Sequence, residues 1–108
     1  MNFRVELTRS ALRDLEDIAH FVADQTSVTA ADRLLTGILD IVGTLETMPE
    51  RGRAVPELAE YGYQSIRERF FKPYRIVYRI DGGNVRILLI VDGRRDLQQI
   101  LARRLIAD

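Results

Sequence analysis

Between Ser65 and Val91 the chain reads SIRERFFKPYRIVYRIDGGNVRILLIV, and this stretch constrains the fold more than any other. Apolar and charged side chains alternate through IRERF and YRIVYRI, the period of a strand with one buried face. The glycines of DGGN accept positive φ and mark a hairpin turn, so the segment predicts a three-stranded antiparallel meander. Taking Asp81–Asn84 as a four-residue loop pairs Ile80 with Val85, Tyr78 with Ile87 and Ile76 with Leu89, which makes one face wholly apolar. The opposite face then holds Arg75, Val77, Arg79, Arg86, Leu88 and Ile90. A three-residue turn around Lys72 and Pro73 adds Arg67 and Arg69 to that face. A two-residue turn would point both guanidinium groups at the core, at several kcal/mol each if unpaired, so three residues are expected.

The apolar face needs a cover, and the preceding residues supply one. FRVEL alternates Phe3, Val5 and Leu7 with Arg4 and Glu6, a short strand. Thr8 or Ser10 can cap a first helix, in which Leu12, Leu15, Ile18, Ala19 and Val22 form a stripe. Thr29 and Asp32 have capping-box spacing for a second helix. Its Leu34, Leu35, Ile38, Leu39, Ile41, Val42 and Leu45 make a wider apolar face, so it should be the more buried of an antiparallel pair ended by Pro49. TMPERGRAVPELAEYGY has no clear period and reads as a long loop. RRDLQQILARRLIAD places Leu97, Ile100, Leu101 and Leu105 at helical spacing, and this last helix should cover Val77, Leu88 and Ile90. The expected architecture is α+β: a strand, a helix hairpin, a meander and a short closing helix in a single domain over residues 1–108.

Sixteen basic and sixteen acidic side chains balance, so net charge gives no case for nucleic acid or an anionic membrane. The chain has no cysteine and one histidine, which excludes thiol catalysis and makes no metal or other cofactor expected. His20 has no reactive serine motif or second histidine beside it and reads as a boundary residue. No apolar run approaches the ~20 residues that span a bilayer, and MNFRVELTRS lacks a signal-peptide core, so a cytoplasmic location is expected.

What remains is arginine. Arg94 and Arg95 follow the last strand directly, beside a sheet face expected to carry Arg67, Arg69, Arg75 and Arg79. The planar guanidinium fork suits a nucleic-acid backbone or an acidic protein segment. Equally, Glu6, Glu68, Asp92 and Asp96 can pair with these arginines and leave a solvated face worth little energetically. Both readings stand open on the residues alone.

The motifs PERGRAVPEL, IRE, PYRIVYRI and LLIVDGRRD, in this order around the helix hairpin, resemble the RelE/ParE superfamily of bacterial toxins. The resemblance implies a toxin of a type II toxin-antitoxin system, neutralised by a cognate ParD-like antitoxin. RelE-like members cleave messenger RNA on the ribosome, and ParE-like members inhibit DNA gyrase. By position, Arg75 and Arg95 match the two arginines of the ribonucleases, and Arg67 and Arg69 lie on a strand that is basic in those enzymes. Leu101 stands about where many of the ribonucleases carry a tyrosine. Arginine is a poor general acid or base, and losing proton transfer forfeits roughly 10²- to 10⁴-fold in rate. The resemblance therefore implies a ParE-like binder of gyrase without catalytic residues, with Arg67, Arg69, Arg75, Arg79, Arg94 and Arg95 as candidate contacts. A ribosome-dependent ribonuclease using Arg75 and Arg95, or an inactive homologue that only binds antitoxin, is the alternative.

Overall fold

The computed structural model describes residues 2–62 and 65–107; Tyr63, at the end of the expected loop, and Asp108 lie outside them. The elements are β1 (Arg4–Leu7), α1 (Arg9–Gln25), α2 (Val28–Thr44), β2 (Arg53–Ala54), β3 (Ile66–Phe71), β4 (Tyr74–Asp81), β5 (Asn84–Asp92) and α3 (Leu97–Ala107). Short 3₁₀ turns at Pro49–Arg51 and Pro56–Tyr61 flank β2. Among the described residues no helix is long and apolar enough to cross a membrane.

The sheet runs β1-β5-β4-β3-β2. The meander β3–β4–β5 is antiparallel as its alternation implies, and β1 joins parallel to β5. The connection between them holds the helix hairpin and β2–β4, ample length for a parallel join. Between β4 and β5 the turn is tighter than expected: Asp81 pairs with Asn84, and Gly82 takes φ +60. A left-handed residue in a two-residue turn favours glycine, which lacks the Cβ that would clash.

Two departures from the expected register decide which side chains face where. Ile80–Val85 and Tyr78–Ile87 pair as expected, but Ile76 meets Ile90 and Val77 meets Leu89, with an irregularity at Val77/Tyr78. The extra residue turns Leu88 and Leu89 to the same side. Leu88 and Leu89 therefore pack under α3 with Val77, Val91, Leu97, Ile100 and Leu101, whereas Ile90 crosses to the hairpin side with Ile76, Tyr78, Val85 and Ile87.

The second departure is the β3–β4 turn, which is two residues, Lys72 and Pro73, joined by a cis peptide. This puts Ile66, Glu68 and Phe70 on the α3 side of the sheet and Arg67 and Arg69 on the hairpin side. The expected penalty is reduced because both arginines lie at the sheet margin, half-buried, although Arg67 Nε is buried without a hydrogen-bond partner among the described residues. Arg67 Nη1 donates to Gly52 O at 3.1 Å and Arg69 Nη1 to Thr44 Oγ1 at 3.4 Å.

The helices follow the apolar spacing with local corrections. Thr8 caps α1, its hydroxyl accepting from Ala11 N at 3.2 Å while donating to Ile87 O at 2.8 Å, so one side chain starts the helix and ties it to β5. For α2 the cap is Ser27, which accepts from Ala30 N, and Thr29 lies inside the helix. Ala11, Leu15, Ile38, Val42 and Leu45 fill the core, while Leu12 and Leu39 remain about half exposed. The helix stops at Thr44, ahead of Pro49, which opens a 3₁₀ turn. The expected loop is partly a strand: β2 pairs Arg53 with Glu68 and Ala54 with Arg67.

Candidate partner-binding site

The structure divides the six candidate arginines among three places. Arg75 lies on the α3 side and is only 8% exposed. Its Nε donates to Glu68 Oε1 at 2.7 Å, and Nη1 and Nη2 donate to the two oxygens of Glu57, each at 2.8 Å. Glu57 comes from the 3₁₀ turn after β2. Its bidentate grip raises the guanidinium's already high pKa further, and Arg75 in turn holds the Glu57 carboxyl below its ordinary value. Glu68 also accepts from Arg53 Nε at 2.8 Å, and the Arg53 guanidinium lies 4.6 Å from the Phe70 ring centre. All three guanidinium nitrogens of Arg75 are therefore committed to carboxylates.

Arg67 and Arg69 sit on the other side, near the end of α2 and the turn Pro49–Gly52. Tyr78 organises this corner. Its hydroxyl donates to Pro49 O and accepts from Gly52 N at 3.1 Å. Burial pushes the phenol pKa up, which keeps it a donor. A Cβ at Gly52 would stand 2.1 Å from the Tyr78 oxygen, so the close approach demands glycine. Arg79 lies between Ile66 and Arg86 in the ladder and forms no ion pair among the described residues.

The third place is the end of β5. Arg94 folds back on Asp92, with Nε–Oδ1 at 3.1 Å and Nη2–Oδ2 at 2.8 Å, while its amide donates to Oδ1 at 2.9 Å. These bonds draw the Asp92 carboxyl down to about 2. Arg94 thus stabilises its own turn. Arg95 is exposed and lines two adjoining cavities beside β5. The two arginines that end the strand are divided, one folded onto its loop and one exposed to solvent.

An ion pair between two helices was not visible in the sequence. Asp14 of α1 and Arg104 of α3 meet at 2.7 and 3.0 Å. Asp14 Oδ2 also accepts from Ile90 N at 2.9 Å, and Arg104 Nη1 donates to Leu88 O at 2.7 Å. Leu101, one turn before Arg104, is fully buried in the α3 layer. In this arrangement the buried arginine is spent on carboxylates, the tyrosine of the core is bonded to backbone, and of the six candidate arginines Arg95 is the exposed one that forms no ion pair among the described residues.

Residues 5–97 match the family model for the ParE toxin of the type II toxin-antitoxin system parDE. The chain belongs to the ParE toxin family. Toxin ParE3 of Caulobacter vibrioides is 31% identical over 101 residues, 94% of this chain and 97% of the relative. Among solved structures, a chain of the chromosomal ParDE system from P. aeruginosa has a TM-score of 0.68 at 21% identity, over 83% of this chain and 95% of that one. The toxin-antitoxin complex RelBE2 from Mycobacterium tuberculosis gives 0.61 at 25% identity, over 85% and 99%. A mutant of E. coli toxin RelE in the free state gives 0.64 at 11% identity, over 98% and 97%. The expected RelE/ParE membership, its ParE-like branch and the α+β fold are thus borne out. This ParE-family toxin keeps the superfamily's sheet and hairpin, and the matched segment runs from β1 to the first residue of α3.

Proposed function

We propose that this toxin acts in the cytoplasm by binding and inhibiting DNA gyrase, and that a cognate ParD-like antitoxin holds it inactive. The observation that carries the reading is the match to the ParE toxin family from β1 to the start of α3. Two features of the geometry favour binding over RNA cleavage. Cleavage through a 2′-hydroxyl needs groups that take and give protons, and at least one free cation on the phosphate. Arg75 is buried with its fork filled by Glu57 and Glu68, and Leu101 is a core residue with no proton to exchange. Freeing Arg75 would expose two carboxylates to the same phosphate.

The test is a supercoiling assay with purified gyrase, this toxin and, separately, the toxin with its antitoxin. Loss of supercoiling that the antitoxin reverses supports the reading. Full gyrase activity together with cut messenger RNA on translating ribosomes would replace it with the ribonuclease.

A further inference from the structure

Strand β1 covers only part of β5. Their pairing runs from Arg4–Asn84 to Leu7–Ile87, whereas β5 continues to Asp92. Among the described residues no strand lies beside the outer edge of β5 beyond Ile87, and two side chains stand in for one: Arg104 bonds Leu88 O and Asp14 bonds Ile90 N. Groups on one edge alternate along a strand. With Val91 turned to its partner Arg75, the Ile90 carbonyl and the Asp92 amide share that outer edge.

This edge is the floor of a trough between α1 and α3. One half, about 290 Å³, is walled by Leu89, Ile100, Arg103 and Arg104. The other, about 380 Å³, is walled by Ile18, Phe21 and Tyr74, and Arg95 lines both halves. Phe21 is 63% exposed. Of the charges here, Asp14 is bonded to Arg104 and Asp92 to Arg94. Arg95 lies near enough to Asp92 to favour its charged form, but neither Arg95 nor Arg103 forms an ion pair among the described residues, and of the acids lining the trough only Asp17 is bonded to no arginine. An unpaired strand edge, an apolar wall and two free guanidinium groups together suit an extended peptide carrying a carboxylate and an apolar side chain.

We propose that the trough between α1 and α3 receives a short extended segment of the antitoxin, laid along β5 beyond the end of β1. A carboxylate of that segment bonds Arg95 and Arg103, an apolar side chain covers Phe21, and its backbone meets the Ile90 carbonyl and the Asp92 amide. The assignment rests on neutralisation by an antitoxin, proposed above.

The test uses the purified toxin–antitoxin complex and two readouts. In hydrogen exchange, the amides of residues 88–92 should slow about tenfold on complex formation, centred on Asp92. In titration calorimetry, Arg95→Glu with Arg103→Glu should weaken antitoxin binding at least about tenfold, while Arg33→Glu on exposed α2 stays within about twofold. Both arginines are exposed, so the double variant should melt like the parent. A tight complex with unchanged exchange at 88–92 and unchanged affinity for the double variant overturns the trough assignment and leaves neutralisation standing. So does a double variant that fails only against gyrase. If the parent toxin forms no complex with the antitoxin, neutralisation itself falls, and the trough assignment with it.

Discussion

Glu68 and Arg75 meet diagonally across the β3–β4 ladder, Oε1 to Nε at 2.7 Å, although Glu68 is directly opposite Val77 and Arg75 opposite Phe70. The Glu68 side chain is fully buried and Arg75 nearly so. Removing one member of such a pair leaves an uncompensated buried charge, which costs about 3–5 kcal/mol. Glu68→Ala should fall at the lower end, about 3 kcal/mol by urea unfolding, because Glu57 still grips Arg75. Replacing both, Glu68→Leu with Arg75→Met, should recover most of that loss; a double variant as unstable as the single would refute the account.

The Glu57–Arg75 pair predicts an acid-sensitive fold. The folded Glu57 carboxyl lies below its ordinary value of 4.5, chiefly through its hydrogen bonds to Arg75. Its stabilisation is present above about 4.5 and is lost as pH falls through the lower folded value. Urea midpoints measured from pH 6 down to pH 3 should fall less steeply in Glu57→Gln than in the parent.

Tyr78→Phe removes a donor from Pro49 O and an acceptor from Gly52 N, both inside the packed corner. Leaving such groups unpaired costs about 1–3 kcal/mol. Thermal melting should show a lower midpoint, and an unchanged midpoint would refute the account.

Asp14→Ala should loosen α3 without unfolding the sheet. It frees Arg104 and the Ile90 amide at once, at a cost of about 1–3 kcal/mol. Limited proteolysis should then cut within α3 at rates that leave the meander intact, and equal rates in parent and variant would disprove the tether.

Much of this architecture could be read from residue spacing, because the meander, both long helices and α3 each carry their own period. The parity of faces could not. Alternation marks which residues share a side, but not which side, and one residue more or less in a turn exchanges the two. That is why Arg67 and Arg69 lie opposite their expected face and why Leu89 and Ile90 traded sides across the irregularity in β4–β5. A signal for the first was present: Glu68 shares its phase with Ile66 and Phe70, so a buried carboxylate needed a buried arginine, and Arg75 is the one that reaches it.

The candidate site was legible as a set of arginines and illegible as an arrangement. Glu57 sits in an aperiodic segment and reaches Arg75 only through the folded sheet. Asp14 and Arg104 lie at opposite ends of the chain and resemble any exposed charges on amphipathic helices. Local spacing carries no trace of such distant partners, and the separate fates of Arg94 and Arg95 depend on a turn geometry that their adjacency conceals.

The parallel join between β1 and β5 sets an order of assembly. Arg4 finds its sheet neighbour only when Asn84 has been made, so the first strand waits while all the residues between them are synthesised. At about 5–20 residues per second that wait lasts seconds, far longer than a helix hairpin needs to form. The hairpin is therefore available on the nascent chain before the sheet that it covers, and Arg95 and the trough come after both. A partner that recognises the hairpin could be in place before the rest of the toxin is complete.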